Sequence, residues 1–170
     1  MSSFRGDPLS VRVRAETRAA HGAAQGSGFL AALAAGSLPF QAYAELTAQH
    51  WFIYEALETA AGAMADDPVA RAFVAAAPGF VAHHYTRYLG DLSGGQYLGP
   101  AIARSYGLNG DGHLFFVFPG VDPVVFKARY RRLLDAVSWS RSEERLFLTE
   151  VAEAYRLNIA LLTELKERWS

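Results

Sequence analysis

Residues 81–99, VAHHYTRYLGDLSGGQYLG, constrain the fold of this chain more than any other stretch. The flanks have helical patterning, yet Gly90, Gly94, Gly95 and Gly99 fall inside it. Each interior glycine costs a helix about 1 kcal/mol against alanine, so something must offset them. The usual gain is a neighbour that approaches the backbone too closely for any side chain. At about 100° per residue, Arg87, Gly90, Asp91 and Gly94 share one stripe, at i, i+3, i+4 and i+7. That face offers bare backbone beside an (i, i+4) Arg–Asp pair. Two readings follow: a small-residue helix crossing with a surface ion pair, or a helix kinked over a flat cofactor with a carboxylate beside the reacting centre.

Composition narrows the setting. A length of 170 residues, 51% apolar and 19% charged, fits one globular domain over 1–170 with a real core. A net charge of −1 lacks the basic excess of a nucleic-acid surface. The absence of cysteine excludes disulfides, thiolate metal ligation and iron–sulfur clusters. The first twenty residues are charged with no apolar core, and the longest apolar run, 73–82, is broken by Pro78 and Gly79. Neither reads as a signal peptide or a membrane span, so a cytoplasmic protein is expected.

The pattern predicts an all-α chain. Pro8 or Ser10 opens a helix that runs to about 24, and Gly26 and Gly28 break it. Further helices are expected over 29–35, 39–64, 66–76, 81–106 and 123–136. A last helix, capped by Ser140 or Ser142, should reach Trp169. Pro78 and Gly79 read as the end of the 66–76 helix, and 113–118 as extended or 3₁₀. In the 39–64 helix, Phe40, Tyr43, Leu46, His50, Trp51, Tyr54 and Leu57 mark one buried side.

The motif HHYTRYLGDLSGGQ (83–96) resembles the distal-helix signature of the haem oxygenases. RAAHGAAQGSGFL (18–30) resembles their proximal helix, and VFKARYRRLL (125–134) is similar to their second propionate-binding helix. The resemblance covers 10–64 and 79–170, and between 64 and 80 the chain is several dozen residues shorter than most members. It implies a helical bundle holding haem between a proximal helix and a kinked, glycine-rich distal helix. Residue types alone leave His21, His50, His83, His84 and His113, or a Met or Tyr, open as axial base.

The resemblance selects His21 as the iron ligand. Gln25 then stands where many members carry a Glu against the second ring nitrogen, and a neutral amide pulls less on that proton, giving a weaker Fe–His bond. Arg14, Tyr85, Lys127 and Arg131 match the propionate-binding positions. Gly90 and Gly94 would leave room for O2 over the iron. In the family the Asp matching Asp91 acts through ordered water to protonate the bound oxygen without cleaving the O–O bond. The ring itself is then attacked, so haem is both cofactor and substrate. Arg87, Tyr54 (in QHWFIYEALE) and Asn158 (in AYRLNIALLTEL) match the polar partners of that Asp and its waters.

The implied activity is that of a bacterial, biliverdin-producing haem oxygenase, with release of iron and CO. The alternative is a non-catalytic haem-binding, storage or sensor protein. No flavin or nicotinamide fingerprint is present, so electrons are expected from an external donor such as a ferredoxin or a flavin reductase. That donor would dock on the basic patch of Arg14, Lys127, Arg131 and Arg132. A monomer, with no nucleic-acid or membrane partner, is expected.

Overall fold

The computed structural model describes residues 6–26, 28–65, 78–109 and 111–169, and among them every regular element is helical. In chain order these are α1 (Leu9–Glu16), α2 (Arg18–Gln25), α3 (Phe29–Ala34), α4 (Phe40–Ala65) and α5 (Pro78–Gly90). A π-helical segment (Asp91–Gly95), α6 (Gln96–Tyr106), a 3₁₀ turn (Asp111–Phe116), α7 (Pro123–Asp135) and α8 (Arg141–Trp169) complete the chain.

Local chemistry explains the differences from expectation. The single helix expected up to residue 24 is two helices, interrupted at Thr17 (φ −97°, ψ 4°). Its hydroxyl donates to the Val13 carbonyl at 2.6 Å, the back-bond that bends helices. Ser10 does not cap α1; its N–H and Oγ both donate to Asp135 at 2.8 Å, tying α1 to the end of α7. Pro78 and Gly79 begin α5 instead of ending an earlier helix. A proline fits there because a first-turn N–H has no intrahelical acceptor. The helix expected over 66–76 lies outside the described residues. Ser140, not Ser142, caps α8 through a reciprocal box: Ser140 N–H donates to Glu143 at 2.7 Å and Glu143 N–H returns to Ser140 Oγ at 3.3 Å.

The glycine-rich stretch is α-helical at both ends and π-helical in the middle. Glycines weaken the regular geometry, and Pro100 cannot donate to the carbonyl four residues before it. Such π insertions are frequent at functional sites.

Two apolar cores sit at opposite ends of α8. Near its start, Phe147, Leu148 and Val151 pack with Leu9, Val13, Ala82 and Leu134. Near its end, Leu162 and Leu165 pack with Phe29, Leu33, Leu46, Ile102 and Phe116. The two cores leave the middle of α8 free of any large, fully buried apolar side chain between Val151 and Leu162. Both α2 and α5 pack against α8. The buried stripe of α4 is narrower than its pattern: Tyr43, Leu46, His50 and Leu57 are buried, whereas Trp51 is 64% and Phe40 45% exposed. Trp51 lies about 100° round from His50, off the packed side, and Phe40 is the first helical residue. Among the described residues no helix is long and apolar enough to cross a membrane.

Candidate active site

Four glycines in one stretch do two different jobs. A Cβ on Gly95 would lie 2.8 Å from Phe116 Cδ1, and one on Gly99 2.9 Å from Phe116 Cβ. At those positions the backbone is bare because the 3₁₀ turn presses Phe116 against it. Gln96 fastens the contact, its Nε2 donating to the Phe116 carbonyl at 2.9 Å. At Gly90 and Gly94 an added Cβ would meet nothing within 4 Å. Those two present peptide backbone to open space. Close approach by a neighbour thus accounts for Gly95 and Gly99, and not for Gly90 and Gly94.

The helical stripe drawn from the sequence does not survive the π turn. Gly90 and Gly94 are exposed, while Asp91 turns inward and is 4% exposed. Its carboxylate takes two bonds from Arg87, Nη2 to Oδ1 at 2.7 Å and Nε to Oδ2 at 3.0 Å. Tyr54, reaching across from α4, donates to Oδ2 at 2.7 Å. A bidentate guanidinium fork is the strongest partner a carboxylate finds among side chains. This is no surface ion pair. Burial alone would lower the Arg87 pKa, and the Asp91 carboxylate reverses that so the net shift is upward. Burial and the same carboxylate hold the Tyr54 phenol far above its ordinary range, so it stays a donor. Asn158 is half-buried on α8 and makes no hydrogen bond to this cluster among the described residues.

On α2, His21 is exposed, its ring edge-on to Tyr155 of α8 with centroids 5.8 Å apart. Gln25 is also exposed and forms no hydrogen bond with His21. Tyr155 is pushed up to about 12 by burial and by the neighbouring Tyr85. Tyr85 in turn is raised by burial, and Arg131 and Arg14 both pull it back. Both guanidiniums therefore act on this phenol from helices, α1 and α7, that pack against each other. Lys127 is engaged elsewhere. Its Nζ donates to the Leu92 carbonyl at 3.2 Å and to Ser93 Oγ at 3.1 Å, strapping α7 to the π segment.

Three contributors escaped the sequence reading as functional parts. Phe116 stood in a stretch read only as extended or 3₁₀. Tyr155 gave no signal beyond its place three residues before Asn158. His50 was read into the buried stripe and left among the open axial-base candidates, with no role beside Asp91. It is 4% exposed and among the described residues neither ring nitrogen has a partner, which for a buried polar group costs about 1–3 kcal/mol. The signal was a histidine one turn before Tyr54 on an otherwise apolar side.

Comparison with known proteins matches this arrangement. The family model described as "Heme oxygenase" matches residues 7–78 and 75–164, in two pieces that overlap at 75–78. The heme oxygenase of Takifugu rubripes is 43% identical over 89 residues, 51% of this chain. That alignment spans only 32% of the Takifugu protein, about a third of its length. The structure of heme oxygenase from Leptospira interrogans superposes with a TM-score of 0.80 at 27% identity, covering 92% of this chain and 99% of that one. The heme oxygenase-1 from Synechocystis, solved in complex with heme, gives a TM-score of 0.83 at 24% identity over 95% of this chain and 93% of that one. With a family match reaching from residue 7 into α8, this chain belongs to the haem oxygenase family.

Proposed function

We propose that the protein is a haem oxygenase that uses O2 and reducing equivalents to open haem to biliverdin, releasing iron and CO. The observation that carries this reading is the buried Arg87–Asp91–Tyr54 cluster beside side-chain-free backbone at Gly90 and Gly94. The residues present suit a flat, dianionic macrocycle: an exposed imidazole on α2, open peptide surface on the distal side, and two guanidiniums that act on one phenol. His21 would supply the axial nitrogen and Gln25 its neighbour. Arg14, Arg131 and Tyr85 would take the propionates. Lys127 has a third donor hydrogen beyond its bonds to Leu92 and Ser93, and through it would join the propionates while keeping its hold on the distal turn. Bound haem supplies both the iron that takes up O2 and the ring that is cut.

The protein's own part is proton control. Asp91 spends three bonds on Arg87 and Tyr54, and a carboxylate has about four acceptor sites, so one remains for a water facing the cleft. Arg87 and Tyr54 fix the direction of that site. Gly90 and Gly94 keep the space above the ring clear, and Asn158 would contact water from α8. Through that water the Asp91 carboxylate would hold and pass a proton towards whatever is bound above Gly90 and Gly94. Electrons come from an outside donor, a ferredoxin or flavin reductase, docked on the Arg14–Arg131–Arg132 edge.

One experiment tests the reading. Hemin is added and the Soret band followed, then ascorbate or a reductase is supplied under air. Loss of the Soret band with growth of a biliverdin band is expected. A Soret band that persists would mean a haem-binding or storage protein, and no Soret band at all would remove haem from the account.

A further inference from the structure

His50 has no part in the chemistry described so far, yet it stands directly behind it. It lies on α4 one turn before Tyr54, and its ring packs against Phe115 with centroids 5.3 Å apart. Phe115 also meets the Tyr54 ring edge-on at 5.8 Å, so the two α4 side chains share one wall. Both His50 nitrogens are sealed from solvent, and among the described residues neither has a hydrogen-bond partner. Burial and the nearby Arg87 guanidinium keep the imidazole neutral, leaving it one donor and one acceptor. An aliphatic residue would fill the same volume with no polar atom to satisfy. Orphaned buried groups of this kind are the places where proteins hold ordered water, provided two to four polar partners converge. The Tyr54 oxygen, one turn further along α4, donates to Asp91 and still has acceptor capacity for one such water.

We propose that His50 is a positioning residue of the Asp91 centre: it anchors a buried water at the rear of the Arg87–Asp91–Tyr54 cluster and so holds the carboxylate turned towards the cleft. The hydrogen-bond chain then runs from His50 through this water to Tyr54 and on to Asp91, each link polarising the next. Its catalytic consequence rests on the haem oxygenase reading, whereas the water itself does not.

The first test needs no haem. Long-range ¹H–¹⁵N correlation of the apoprotein should show His50 as one neutral tautomer with both nitrogens hydrogen-bonded, and a cross-relaxation peak from a ring C–H to water. A ring with no water contact overturns the proposal. The second test uses the hemin-loaded protein with His50→Leu and His50→Gln. The Leu variant should keep hemin affinity within about twofold but make biliverdin about tenfold more slowly. The Gln variant, which keeps a donor and an acceptor, should recover at least about half the rate. Equal rates for Leu and wild type, or a Gln variant as slow as Leu, overturn the positioning role. If His50→Leu does not fold, the wild-type spectrum and the Gln variant decide. Failure of the haem oxygenase reading shows separately, as no turnover in the wild type with the apoprotein water peak intact.

Discussion

Asp91 answers to three bonds from two helices, and removing it would leave Arg87 buried with nothing to pair with. Asp91→Ala should therefore cost about 3 kcal/mol in urea unfolding. It should still give a Soret band with hemin, because the axial and propionate groups are elsewhere. Biliverdin formation should fall by about 100-fold or more; a wild-type rate would remove Asp91 from the chemistry. His50 carries a second prediction. Its pKa is lowered well below 6.5, first by burial and then by Arg87, and His84 is lowered by burial as well. Below about pH 6.5 the unfolded chain takes up protons that the folded protein refuses. Stability thus rises with pH through this range and is lost as the pH falls from about 7 towards 5, at about 1 kcal/mol per pH unit for one such site. Urea midpoints at pH 7 and 5.5 measure the slope, which His50→Leu should make shallower; an unchanged slope would place the titration elsewhere. The Asp91 set was legible because its spacing and its motif agree. His50's orphaned nitrogens were not, because a sequence shows a residue's face of the helix and never what stands opposite it.

The glycine-rich helix makes a prediction with two signs. Gly90 is an α-helical residue (φ −62°, ψ −53°) with open space where a Cβ would go. Gly90→Ala should stabilise the apoprotein by about 0.5–1 kcal/mol and weaken hemin binding, since the methyl enters the cleft. Gly99 abuts the Phe116 Cβ, which cannot swing away as a ring edge can. Gly99→Ala should destabilise by about 1–3 kcal/mol. Thermal melts and hemin titration of the two variants read both signs; destabilisation by both would mean that the face of Gly90 is packed. Helix identity was legible throughout, because long segments carry strong period-3.6 patterns and clear caps. The breaks were less so. Thr17's back-bond and the π turn arise from competition among hydrogen bonds that differ by little in energy, and residue type alone does not decide them. Lys127 was placed on the right helix, but its bonds to Leu92 and Ser93 depend on how α7 meets the π segment, a tertiary fact.

At the scale of the molecule, two separate apolar cores sit towards opposite ends of α8. A ligand bound only by the folded state adds stability by mass action, about 2.7 kcal/mol at a hundredfold excess over Kd. Hemin should raise the melting temperature, and hydrogen exchange should slow most in α2 and from α5 through the π segment. Protection confined to the chain ends would contradict a central site. Light scattering at gel filtration should give the monomer mass of 18.5 kDa; a doubled mass would overturn the monomer expected from the family resemblance.

α8 packs both against α2, which carries His21, and against α5, which leads into the π segment. The separation of the helix that carries the imidazole from the helix that leads to the bare glycine backbone is therefore set in part by a third helix. Bulk added along that helix, at Ala154 for example, acts as a shim that moves both faces at once. The gap can in this way be widened or narrowed while the chemistry on each face keeps its residues.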